Sequence, residues 1–394
     1  MKKLKVSLLG KIGIAIGLGI LCGQFFPAGI TRLFLTFNSL FGNFLSFAIP
    51  LIIVGLVAPA IGEIGKGAGK WLLITVAIAY GSTLFSGFFT YLCSSTVFPQ
   101  ILIYNPGIAT LDTLKDEALT PYFTIDMPPL MDIMSALLLS FIVGIGLSVI
   151  KGVALRNVFL DFREVVNMLI SSAIIPLLPL YIFGIFLNIT ISGQVGSVMS
   201  TFVKIIVFIF AMHVVLLLIQ FTTAGAITKR NPFVLLKNML PAYATALGTQ
   251  SSAATIPVTL RQALKNGVRE SVATFVVPLC ATIHLAGSTM KIVACSMAIM
   301  YMVGNPVTLS DYSGFIMMLG VTMVAAPGVP GGAVMAALGL LEGMLGFNET
   351  MQGLMIAIYI AMDSFGTACN VTGDGAIAIV MDKIVKQEDK YETA

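Results

Sequence analysis

Charged residues are scarce in this chain: they make up 10% of its 394 residues, against about a quarter in a soluble domain. That deficit excludes a water-soluble globular protein. No polar segment is long enough to form a separate soluble domain, and nothing in the chain points to a nucleic-acid partner. Cysteine is sparse and unpaired in pattern. Cys22, Cys93, Cys280, Cys295 and Cys369 lie in or beside apolar runs without Cys-x-x-Cys spacing, as buried free thiols do. Histidine occurs only twice, at His213 and His284. Neither stands in an HExxH-like context, and no nucleophile–base pair offers itself, so the chain does not read as an enzyme.

Apolar sequence is abundant. The chain is 57% hydrophobic with a mean hydropathy of +0.99. A membrane-crossing helix needs about 20 apolar residues, and such runs occupy 8–26, 33–61, 71–97, 130–150, 166–187, 198–227, 271–303 and 351–385. These predict an all-α polytopic membrane protein with eight transmembrane helices. The first run follows Lys2, Lys3 and Lys5 with no small-x-small cleavage site after it, which predicts an uncleaved helix. The basic residues are distributed asymmetrically. Clusters at Lys66 and Lys70, at Lys151, Arg156 and Arg163, at Lys229, Arg230 and Lys237, at Arg261, Lys265 and Arg269, and at Lys383, Lys386 and Lys390 fall on the side of the amino terminus. The positive-inside rule then predicts both termini in the cytoplasm and an integral plasma (inner) membrane location. The loop at 98–128, with four acids, lies outside.

Two further apolar stretches, 233–262 and 312–346, are interrupted by the small or polar tips TQSSAATIP and APGVPGG. Their arms are too short to span. Each predicts a re-entrant helical hairpin, a backbone path tolerated at membrane depth only inside protein or against a cavity. The charge map brings the hairpins in from opposite faces, which implies an inverted repeat with a binding site where the tips meet.

Acid and amide groups interrupt the last run in MDSFGTACNVTGD, 362–374. On a helix at about 100° per residue, Asp363, Gly366, Thr367, Asn370 and Asp374 share one stripe. Ionisable side chains at membrane depth avoid lipid, so the stripe faces protein or a site. Asp363 suits an ammonium, Thr367 and Asn370 a carboxylate, and Asp374, a hard oxygen ligand, a small cation.

NVTGD in the last helix, SSAATIP and AAPGVPGG at the hairpin tips, and CATIHLAGST between them resemble, in order, the motifs of the dicarboxylate/amino acid:cation symporter family, over nearly the whole chain. The resemblance implies a homotrimer in the lipid bilayer that works as an elevator. Residues 1–70 (helices 1 and 2) and 129–196 (helices 4 and 5) would be the scaffold. Residues 71–128 would hold the third helix of the transport domain and the outside loop. Residues 197–394 would complete the transport domain with helix 6, hairpin 1, helix 7, hairpin 2 and helix 8. It also implies substrate contacts by Ser252, Ser288, Asp363, Thr367 and Asn370, and an outer gate at Val329, Pro330 and Gly331. One Na⁺ site would use Asp374 with carbonyls of Cys280, His284 and Asn370. A second would use carbonyls of Thr282, Met323, Val324 and Ala326.

The chain departs from the family pattern in three places. The motif Asn-Met-Asp-Gly-Thr of the seventh helix is replaced by His284-Leu285-Ala286-Gly287-Ser288, and the facing third-helix positions Ile74, Thr75, Ile78 and Ala79 are mostly apolar. A third sodium site is therefore not expected, and about two Na⁺ per cycle is the expectation. His284 is the residue through which a proton would be coupled instead. Third, Gly366 stands where acidic-substrate members carry arginine, while Lys291 lies one turn beyond Ser288. Lys291 either reaches past Gly366 to an anionic substrate end, or pairs with Asp363. The first option gives a sodium symporter for an acidic amino acid or dicarboxylate and is narrowly preferred. The second gives a neutral amino acid symporter for serine, threonine or alanine. An anion channel is the reading from another class.

Overall fold

The computed structural model describes residues 7–64, 70–102, 119–305, 308–326 and 330–392, and every regular element among them is helical. Helices α1 (Leu8–Cys22), α2 (Ala28–Ile64), α3 (Lys70–Ile101) and α4 (Ile133–Val149) come first. Helix α5 (Ala154–Leu169) continues through a π-helical turn, Ile170–Ile174, into α6 (Ile175–Ile191), and α7 (Val195–Thr228) follows. Then come α8 (Pro232–Thr249), α9 (Ser252–Lys265), α10 (Glu270–Ile283), α11 (Ala286–Met302), α12 (Leu309–Val324), α13 (Gly332–Leu345), α14 (Glu349–Ala361) and α15 (Asp363–Glu392).

All eight predicted apolar runs are helical, but they are not equally long. Five stretches are long and apolar enough to cross a membrane: 28–62, 70–101, 154–191, 195–228 and 270–302. A sixth is the pair α14 and α15, bent by 61° at its break. The runs at 8–26 and 130–150 form helices of only 15 and 17 residues, short of the full span expected. The run at 166–187 begins earlier than predicted, because the charged stretch from Ala154 folds as an amphipathic helix rather than a loop. Both broken stretches are packed helix pairs, α8 with α9 and α12 with α13; the first reverses at residues 250–251, and residues 327–329 between α12 and α13 lie outside the described residues.

Local chemistry explains the breaks. Asn231 accepts from the Phe233 amide and Pro232 opens α8, where a missing N–H leaves no bond unmade. At the first tip, Gln250 takes a left-handed backbone (φ 54°) and Ser251 caps α9 by accepting from Ala254. A non-glycine residue held there costs about 1–2 kcal/mol. At the second tip, Gly331 supplies the left-handed residue (φ 77°) that starts α13. Thr308 and Asp311 form a reciprocal capping box at the head of α12.

Packing falls into two apolar cores. In one, α2 lies along α4, α5 and α6, and α1 along α6. In the other, α15 is surrounded by α7, α8, α9, α10 and α11. Helix α3 runs against α11 and α12. Leu138, Ile142 and Ile145 of α4, and Val203 and Val207 of α7, are exposed, as expected of side chains that meet lipid tails. The α1–α6 contact depends on a missing side chain: a Cβ at Gly19 would stand 2.8 Å from the Phe183 carbonyl and 3.0 Å from the Phe186 Cβ. The neighbour is backbone and has no room to retreat. Gly19→Val is expected to destabilise the protein by about 1–3 kcal/mol, read as a lower thermal midpoint in detergent. An unchanged midpoint would show that α1 docks elsewhere.

Candidate functional site

Residues at two chain breaks, between α10 and α11 and between α14 and α15, and residues of both hairpins line one partly open cavity. At a helix break the terminal N–H and C=O groups lack intrahelical partners, so polar backbone collects there. The α10–α11 break is clasped by Asn370 of α15. Its Oδ1 accepts from the Gly287 amide at 2.8 Å and the Ser288 amide at 3.3 Å, and its Nδ2 donates to Ser288 Oγ at 3.0 Å. His213 of α7 braces the same turn, donating through Nε2 to the Gly287 carbonyl at 3.1 Å. Gly287 must be glycine, since a Cβ would stand 2.7 Å from the Cys369 Cβ and 2.9 Å from the Gly366 carbonyl.

The cavity, about 100 Å³, is lined by Ser252 and Gln250 of the first tip, Ala326 and Ala333 flanking the second, Thr282, Leu285 and Ser288 at the α10–α11 break, and Tyr359, Asp363, Thr367 and Asn370. At roughly 30 Å³ per water, this is room for a small solute. Of the expected substrate contacts, Ser252, Ser288, Asp363, Thr367 and Asn370 all line it. The stripe on α15 holds: Asp363, Gly366, Thr367, Asn370 and Asp374 are buried or nearly so. Gly331 reaches the site through its amide, which donates to Asp363 Oδ2 at 2.8 Å. Pro330 adjoins it, half-buried, and Val329 lies outside the described residues. Tyr359 was not anticipated. Its hydroxyl lies near Ser288 and Asp363 and makes no well-formed hydrogen bond to a described residue. The only sequence signal was a phenol in an apolar run four residues before Asp363, and the helix break between them hid it.

Lys291 departs from the preferred expectation. It is fully buried and does not line the cavity. Its stem does occupy the space above Gly366, where a Cβ would collide with Lys291 Cε and lie 2.6 Å from Nζ. The ammonium, however, turns to Asp363 Oδ1 at 3.2 Å, to the Met362 carbonyl at 3.4 Å, and over the Tyr359 ring at 3.6 Å. The pull is electrostatic: Asp363 and the carbonyl end of α14 present negative charge at one point, and the ring face adds to it.

Asp374, about three turns beyond Asp363 along α15, is 1% exposed. Its Oδ1 stands 2.9 Å from His284 Nδ1, His284 Nε2 stands 3.0 Å from Ser82 Oγ, and the Gln220 amide donates to Ser82 Oγ at 3.1 Å. With a neutral imidazole, Gln220 donates to Ser82, the Ser82 hydroxyl donates to Nε2, and Nδ1–H donates to the carboxylate. With a protonated one, Ser82 accepts from both Gln220 and Nε2–H, and His284 and Asp374 form a buried ion pair. The Cys280 carbonyl, another expected ligand of the cation at Asp374, accepts from the His284 amide at 2.9 Å. For the second expected cation site, Thr282, Val324 and Ala326 line one cavity of about 400 Å³ between α2, α5, α10 and α12. Met323 lies in the same final turn of α12, its carbonyl accepting from Ala326 at 3.3 Å. The cavity wall is otherwise mostly apolar and includes Arg163 and Asn167, so the backbone carbonyls of that turn are the oxygen donors the expectation requires.

Removing the Asn370 acceptor would leave two buried amides unpaired, at about 1–3 kcal/mol each. Asn370→Ala should therefore lower the thermal midpoint markedly. Asn370→Asp, which keeps an acceptor, should lower it less, and equal losses would show that the clasp does not hold the break.

The family model described as the sodium:dicarboxylate symporter family matches residues 8–384. The chain is 25% identical to the serine/threonine transporter SstT of Acinetobacter baylyi over 408 residues, covering 97% of this chain and 98% of the relative. It is 27% identical to the serine/threonine transporter SstT of Acinetobacter baumannii strain SDF, covering 96% and 97%. The chain is a multi-pass membrane transporter, and it belongs to the sodium:dicarboxylate symporter family.

Proposed function

We propose that this protein is a sodium-coupled symporter for a small neutral amino acid of the serine, threonine and alanine class. The observation that carries the reading is the state of Lys291. Lys291, beside the cavity, is already bound to Asp363, and no cationic side chain is among the described residues lining the cavity. A substrate side-chain carboxylate would enter with no partner and lose several kcal/mol of hydration. The small cavity and the hydroxyls of Ser252, Ser288, Thr367 and Tyr359 favour a short, uncharged, hydrogen-bonding substrate. The names of the serine/threonine transporter relatives agree with this choice. The acidic-substrate alternative needed Lys291 to face the cavity.

In the proposed cycle, the substrate carboxylate lies against hairpin 1 and Asn370, and its amino group lies at Asp363. Cations enter at Asp374 and at the carbonyls of Thr282, Met323, Val324 and Ala326, about two Na⁺ per substrate. Hairpin 2 closes over the loaded site, and the half of the chain built around α15 moves against the half built around α2 in an elevator step within a homotrimer. A channel is disfavoured because the cavity is small and lined by residues of two hairpins and two helix breaks.

The test is uptake into proteoliposomes. An inward Na⁺ gradient should concentrate radiolabelled serine or threonine, and unlabelled aspartate should not compete at equal concentration. Aspartate uptake without serine uptake would reject the neutral-substrate reading. Asp374→Asn should raise the Na⁺ concentration for half-maximal uptake at least tenfold, and an unaltered Na⁺ dependence would remove Asp374 from the cation site.

A further inference from the structure

The carboxylate assigned to the substrate's amino group is fully engaged by the protein itself. Asp363 Oδ2 accepts from the Gly331 amide of hairpin 2 at 2.8 Å, and Oδ1 pairs with Lys291 Nζ at 3.2 Å. The lysine is 0% exposed, so its charge has no solvent to fall back on. A single lysine deep in a membrane protein is costly, by about 2.5–3.5 kcal/mol on insertion scales, and Asp363 is the acid that offsets it. The rest of its surroundings is unusual for a static ion pair. Nζ also lies 3.6 Å over the Tyr359 ring and 3.4 Å from the Met362 carbonyl. These two partners would still hold the ammonium if Oδ1 were taken from it. The flexible stem lies over Gly366, where no side chain blocks it. A short shift of Nζ toward the ring and the carbonyl would release Oδ1, and Oδ1 belongs to a residue that lines the cavity while Lys291 does not.

We propose that Lys291 is a tethered counter-ion: it occupies the ammonium position on Asp363 in the empty carrier, and the amino group of the substrate displaces it. This rests on the neutral amino acid reading above. The physical reason is charge balance. An empty site with a bare carboxylate would resist closure of hairpin 2 and movement through the hydrocarbon layer. With Lys291 on Oδ1 and Gly331 on Oδ2, hairpin 2 closes over an empty site whose local charge is already neutral. When the substrate binds, its own carboxylate balances the second ammonium, so the loaded site holds two cationic and two anionic groups. The lysine thus competes with substrate for binding and permits the carrier to return empty.

The test uses the full-length purified protein in Na⁺, with L-serine as ligand, in the wild type, Lys291→Met and Lys291→Gln. Glutamine keeps much of the reach and a hydrogen-bond donor, so it reports if the methionine variant fails to fold. Both variants should bind serine at least tenfold more tightly, because the internal competitor is gone. In proteoliposomes their net uptake into empty vesicles should slow at least fivefold relative to serine–serine exchange, because an unpaired Asp363 hinders the empty return. The wild type should bind 3-hydroxypropionate, which is serine without its amino group, at least a hundredfold more weakly than serine. Serine affinity equal to or weaker than wild type in the folded variants overturns the proposal. So does an unchanged ratio of net uptake to exchange, or 3-hydroxypropionate binding as tightly as serine. If the wild type binds no serine, threonine or alanine at all, the neutral-substrate reading fails and this inference falls with it. Wild-type binding that the variants do not change condemns the tethered counter-ion alone.

Discussion

A carboxylate in a hydrocarbon layer must pair with a cation or give up its charge by taking a proton. Helix α15 buries three: Asp382 pairs with Arg269 at 2.9 Å, while Asp363 and Asp374 lie eleven residues and about 16 Å apart along the axis. Each of these last two stands where another helix is broken. Asp363 opens α15 at the break that follows α14 and takes the ammonium of Lys291. Asp374 faces the α10–α11 break and has the His284 imidazole 2.9 Å away.

The remaining architecture serves these two positions. Small residues let the broken segments approach, since Gly287, Gly366 and Gly373 each lie where a Cβ would press on a neighbour: the Cys369 Cβ, the Lys291 stem and the His284 ring respectively. Asn370, midway between the carboxylates, fixes the turn at 284–288 by meeting both of its free amides. Hairpin 2 is tied to the site by the Gly331 amide on Asp363.

Much of this was legible in the sequence. Low charge and eight apolar runs specify a helical membrane protein because hydrocarbon leaves a spanning backbone few options. The interrupted runs at 233–262 and 312–346 specify the hairpins, because proline, glycine and hydroxyl clusters break a helix locally. The spacing of Asp363, Gly366, Thr367, Asn370 and Asp374 specifies one buried face, because helical periodicity depends on near neighbours alone. Less legible were the ends: α1 and α4 are shorter, and α5 begins earlier, than the hydropathy boundaries, since an amphipathic helix need not be apolar throughout.

What the sequence determined by itself is the inventory: which polar groups enter the membrane, on which helix face, and in which family's order. Only the tertiary structure decided who partners whom. Lys291 had Asp363 and the open space at Gly366 within reach of its stem. Its choice of Asp363 depends on the α14–α15 break, which brings the Met362 carbonyl and the Tyr359 ring to the same point. For His284 the resemblance had set Asp374 near its carbonyl, but only folding put that carboxylate, ninety residues later, 2.9 Å from its ring. Pairings between distant segments are set by three-dimensional packing and local dielectric, which no periodicity or composition records.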